Sequence, residues 1–148
     1  MNRKQNTAIY LRMATPPREQ KVWVYASAKE YQRTDPMETA IALLTKSARK
    51  NGYLVAGVSR DLERETPPME RPGMQEMLRA VREKQVGMVL FLSLAHISQE
   101  MPLVMDVLRE IHSSGTTVYC REFGKDLPEY KNQQKNWMYL MSLPQVNS

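Results

Sequence analysis

Few residues in this 148-residue chain could do chemistry, and they are scattered along it. Arg12 interrupts AIYLRMAT (residues 8–15), an apolar run that otherwise reads as a buried strand. A guanidinium at a strand end can hold an anion through two N–H groups at once, and an internal ion pair would use it equally well. Arg71, in MERPGMQEML, opens a helix, and the segment LAHISQE (94–100) carries His96 and Ser98. Neither His96 nor His112 has the carboxylate and thiol company that a zinc or iron site needs, so no metal and no cofactor is expected. Three hydroxyls qualify as nucleophiles by type: Thr15, Ser27 and Ser98. For Ser98 a turn or helix cap is the plain alternative, and for His96 a hydrogen-bonded structural role.

The elements that must position these residues alternate. A first strand is expected over 7–13, with KVWVYAS (21–27) as a strand-like addition. DPMETAIALLTKSARKNG follows as a helix: Asp35 can cap it, Pro36 takes its first position, Glu38 closes a capping box and Gly52 ends it. Its apolar residues Met37, Ile41, Leu44 and Ala48 fall on one stripe, as a helix lying on a sheet requires. YLVAGVS (53–59) reads as a strand, then a polar, proline-bearing loop that should be exposed and mobile, then a helix in GMQEMLRAVREKQ. VGMVLFLSL is almost continuously apolar, which marks a central parallel strand covered on both faces. A helix near 102–113, a strand in TTVYCREF and a short helix near 131–142 complete the order. Such alternation predicts an α/β fold: a three-layer, open, mainly parallel sheet with helices on both faces and functional loops beyond the carboxyl ends of the strands. Arg12, Arg71 and LAHISQE can then converge on one edge of the sheet.

Composition bounds the rest. The length and a 42% hydrophobic content suit one domain over 1–148, with its core in about 7–123. One cysteine, no apolar stretch long enough to span a bilayer and no signal-peptide pattern predict a reduced, cytoplasmic setting without membrane contact. Residues 1–34 hold seven basic and two acidic side chains, so this end carries the whole net charge of +5. Arg12, Arg18 and Lys21 of this end are accordingly candidate DNA or phosphate contacts, through counterion release, joined by Arg71 from the opening of its helix, although a solubilising surface accounts for the charge as well.

The order YLRMAT, RPGMQEMLRAVREKQVGMVLFLSL, LAHISQE, LREIHSSGTTVY resembles the catalytic domain of the serine recombinases, the resolvase and invertase family. The likeness spans about residues 7–123 and is best over 71–119. In that family the first strand ends in tyrosine, any residue, arginine, any residue, serine; the serine attacks a phosphodiester and arginines surround the phosphate. The resemblance places Tyr10, Arg12 and Arg71 on family positions but puts Ala14 at the nucleophile. Where the family has leucine, aspartate, arginine, leucine, a small residue and arginine, this chain has Leu94, Ala95, His96, Ile97, Ser98 and Gln99. His96 and Gln99 thus stand at arginine positions.

A methyl group cannot attack phosphorus, so the resemblance implies a domain that has lost strand cleavage and acts by binding or regulation. The alternative is an active recombinase with a displaced Ser or Thr nucleophile. Thr15 should face away from the position of residue 14, and Ser27 follows VWVYA, an echo of the first motif without its arginine. A third reading is a small-anion or nucleotide binder. Pro144 is expected to stop the last helical pattern, and no separate DNA-binding module is expected after it. The 20–31 stretch reads as an insert, an edge strand or pairing surface, and the most promising new interface. Expected partners are DNA, held weakly and without sequence preference, a second copy of the chain, or an intact recombinase.

Overall fold

The computed structural model describes residues 16–132. The first strand expected over 7–13 lies outside them, as do Tyr10, Arg12, Ala14, Thr15 and most of the helix expected near 131–142. Seven main elements follow in order: β1 (Lys21–Ser27), α1 (Asp35–Lys50), β2 (Leu54–Asp61), α2 (Pro72–Arg82), β3 (Met88–Phe91), α3 (Met101–Ser113) and β4 (Thr117–Cys120). The four strands form one parallel sheet in the order β2-β1-β3-β4.

Strand periodicity assigns each face of the sheet its cover. Val22, Val24 and Ala26 of β1, with Met88 and Leu90 of β3, pack under Met37, Ala40, Ile41, Leu44 and Ala48 of α1. The opposite faces, Trp23 and Tyr25 with Val89 and Phe91, pack under α2 and α3. These are the expected three layers, and the stripe read from the sequence of α1 is the stripe that is buried.

KVWVYAS is not an edge addition. β1 is paired on both sides, to β2 and to β3, and from Val22 to Ser27 it is buried throughout. Alternating valines and aromatics suit this slot because both faces of a central parallel strand are dry. A strand with two partners has no free ladder to offer, so the expected pairing surface is not there.

Other differences are local. α1 begins one residue before Pro36, its preceding residue Thr34 makes no side-chain cap, and Glu38 pairs with Arg60 at 2.8 Å instead of closing a capping box. The loop between β2 and α2 is not wholly exposed: Pro68 and Arg71 within it are buried. Beneath α2, a methyl on Gly57 would collide with the Trp23 ring, which is pinned by its N–H to Ser59 Oγ at 2.9 Å. Gly57→Ala should therefore lower unfolding free energy by about 1–3 kcal/mol through overpacking, read from urea titrations.

Candidate functional site

In the order β2-β1-β3-β4 the chain changes direction across the sheet between β1 and β3, so the loops leaving these neighbours diverge at their carboxyl ends. That crevice is where open parallel sheets bind ligands. Ser27 closes β1 there, and the single turn Leu94–His96 follows β3. The two are joined directly: the Ser27 amide donates to His96 Nδ1 at 2.9 Å, and the Ser27 hydroxyl donates to the His96 carbonyl at 2.7 Å. Ser27 has no exposed surface.

Two arginines close over this pair. Arg64, from the loop after β2, donates from Nε to Ser27 Oγ at 2.9 Å and from Nη2 to the Ser27 carbonyl at 3.1 Å, with His96 Nδ1 at 3.2 Å. Arg71 is almost fully buried, and its guanidinium is spent inside the protein. Nε donates to the Thr66 carbonyl at 2.8 Å, Nη2 to the Arg64 carbonyl at 2.8 Å, and Nη1 to the His96 carbonyl at 3.0 Å and Tyr25 Oη at 3.3 Å. Arg71 thus holds the backbone of the loop that carries Arg64.

The counter-charge comes from the end of β2. Asp61 accepts the Tyr25 hydroxyl at 2.7 Å and the amides of Gly73 and Met74 at 2.7 and 2.9 Å. The residue before α2, Arg71, offers no side-chain cap, so a carboxylate from a neighbouring strand satisfies the first free N–H groups of this helix. Burial foremost, with Asp61 adding to it, pushes the Tyr25 phenol well above its ordinary range. Burial foremost, then the Arg64 charge, pulls His96 down to about 4, so its ring is neutral at pH 7 and Nδ1 is free to accept. Burial likewise raises the Cys120 thiol to about 12, which leaves it unreactive.

The expected site residues divide into four groups. Arg71 and His96 come together with Ser27. Arg18 and Lys21 lie at the opposite end of β1, about 20 Å away at ~3.3 Å per residue. There the Arg18 side chain is tied to the carbonyls of Val86 and Ser114 and to Thr116 Oγ1, at 2.9, 2.7 and 2.8 Å. Gln99 is exposed beyond the turn, and Ser98 Oγ accepts the Glu100 amide at 2.9 Å just before α3, its plain role. Arg12 and Ala14 lie outside the described residues. Among the described residues no three His, Cys, Asp or Glu side chains gather as metal ligands.

Sequence reasoning passed over Arg64, Asp61 and Tyr25. Tyr25 did leave a signal, since Trp23, Tyr25 and Ser27 share one face of β1 at a spacing of two.

Comparison with known proteins places this parallel sheet and its helices in a known fold. The family model described as Resolvase, N terminal domain, matches residues 8–142. The chain belongs to the resolvase family. Three solved structures share this resolvase fold. The N-terminal catalytic domain of TP901-1 integrase has a TM-score of 0.66 at 19% identity, covering 86% of this chain and 93% of that one. The C-terminal catalytic domain of ISC1926 TnpA, an IS607-like serine recombinase, has a TM-score of 0.63 at 20% identity, with 83% and 80% covered. A resolvase family site-specific recombinase from Streptococcus pneumoniae has a TM-score of 0.60 at 17% identity, with 86% and 87% covered. Among curated proteins, none matches the chain significantly. The chain is therefore a resolvase-family domain with the fold of serine-recombinase catalytic domains, and among its described residues no helix is long and apolar enough to cross a membrane.

Proposed function

We propose that this resolvase-family domain works by contacting DNA and other recombinase protomers in the cytoplasm without cutting strands, and that Ser27, rather than Ala14, stands in the nucleophile register. The register rests on Ser27 ending the strand between β2 and β3, with Tyr25 two residues before it where the family pattern has arginine. One observation carries the loss of cleavage. The Ser27 hydroxyl is wholly buried and engaged with His96 and Arg64, while Tyr25, Ala95, His96 and Gln99 fill places that hold arginines and an aspartate in the family.

Phosphoryl transfer needs a free attacking oxygen and fixed positive charge on the phosphate oxygens. Loss of a single such donor costs an enzyme about 10²–10³ in rate. Here three cationic positions are neutral. The opposing reading, an active recombinase using Ser27, is favoured by the arginine already on its Oγ.

Duplex DNA incubated with the full chain and run on denaturing gels separates the two. No covalent product is expected, while reversible binding should weaken steeply with salt and little with sequence. A phosphoserine link to Ser27, identified by mass spectrometry, would establish the cleaving reading instead.

A further inference from the structure

We propose that Arg64 is this chain's own phosphodiester-holding arginine: it fills the place left by Tyr25 on β1, caps Ser27 in the free protein, and transfers to a DNA backbone phosphate when one is seated. The inference rests on the reading of the Ser27 end as the phosphate end of the sheet.

Charge bookkeeping at this end is the first support. Arg64 and Arg71 lie close enough for the Arg71 charge to act on Arg64, and His96 between them is neutral at pH 7. One carboxylate, Asp61, is built into this network, and it is committed to Tyr25 and the start of α2. Glu122 accepts the Leu94 amide and the Ser93 hydroxyl, Glu63 and Glu65 beside Arg64 are exposed, and among the described residues none of the three forms an ion pair. Among the described residues no carboxylate lies in ion-pair contact with the Arg64 guanidinium. Partly buried charge without a counter-ion is costly, and a phosphodiester carries the single charge that would balance it.

Geometry separates the two arginines by role. Arg71 has all three nitrogens on internal acceptors, so it acts as scaffold. Arg64 touches only Ser27 and His96, and its Nη1 has no protein partner among the described residues. Because Arg71 holds the Arg64 and Thr66 carbonyls, the loop backbone stays anchored while the Arg64 side chain is free to exchange one acceptor for another. Its planar fork suits two anionic phosphate oxygens better than the neutral hydroxyl and carbonyl oxygens it now meets.

The test uses the full chain labelled with ¹⁵N, following the Arg64 Nε–H and Ser27 amide signals. The probes are a thymidine dinucleotide, which carries one phosphodiester, and inorganic phosphate. Both signals should shift saturably with the dinucleotide, and Arg64→Ala should weaken that binding at least about tenfold, the share of a charge-assisted hydrogen bond. Arg64→Lys should restore part of it, and Ser27→Ala should bind as well as the parent or better. An unmoved Arg64 signal, or Arg64→Ala binding within about twofold of the parent, overturns the assignment. Inorganic phosphate binding as tightly as the dinucleotide overturns the diester part. A covalent adduct on the gel would remove the non-cleaving reading and leave these titrations to decide Arg64 alone.

Discussion

Asp61→Ala should cost the fold about 3–5 kcal/mol, the range seen when one member of a buried charged network is deleted. The carboxylate is 6% exposed and accepts three hydrogen bonds, from Tyr25, Gly73 and Met74. Its removal leaves two amides at the start of α2 and one phenol without partners, in a region too dry for water to replace them. It also removes the one acid set against Arg71, whose guanidinium would then be buried with carbonyls and hydroxyls alone. Asp61→Asn keeps the shape and one acceptor, so it should lose less and remain folded enough to titrate. Urea unfolding followed by circular dichroism gives both values. A loss below about 1 kcal/mol for the alanine variant would mean that water or a shifted Arg71 satisfies the site.

The same network shows what the sequence could and could not reveal. The α1 stripe and the dry central strand β3 were legible because each depends on local periodicity, and burial follows directly from it. The register of the site was not. Two apolar runs, AIYLRMAT and KVWVYAS, compete for the first strand, and Tyr10 and Arg12 weight the choice toward the former. Physical chemistry favoured the latter, since it has no charge between Val22 and Ser27 and alternates β-branched with aromatic residues. KVWVYAS occupies the slot between β2 and β3, while AIYLRMA lies outside the described residues.

Arg64 and Asp61 were illegible for a different reason. Each acts across space, on residues that lie 37 positions before Arg64 and 12 and 13 positions after Asp61. A loop arginine in a polar run such as RDLERE looks like a solvated charge until the loop is placed. The helix cap by Asp61 breaks the local rule that the preceding residue supplies it, so no scan for capping boxes could find it.

His96 makes the site acid-sensitive, and the sign follows from its surroundings. Its folded value near 4 lies below the ordinary 6.5, because burial and then the Arg64 charge disfavour the imidazolium, against weaker help from Glu122. Between those values the unfolded chain takes up a proton that the folded chain refuses, so stability rises with pH through this window and is lost as pH falls. At about 1.4 kcal/mol per pH unit the full loss is about 3 kcal/mol, complete once the pH reaches the folded value. Protonation would also cost geometry: Nδ1 could no longer accept from the Ser27 amide, and a cation would face Arg64 across 3.2 Å. His96→Gln keeps an acceptor without the titration. The parent should therefore lose about 2–3 kcal/mol more than His96→Gln between pH 7 and pH 4.5 in urea unfolding, with the shared carboxylate contributions cancelling in the difference. Parallel pH profiles would show that His96 takes up its proton at the same pH folded as unfolded, so that neither burial nor the Arg64 charge disfavours the imidazolium.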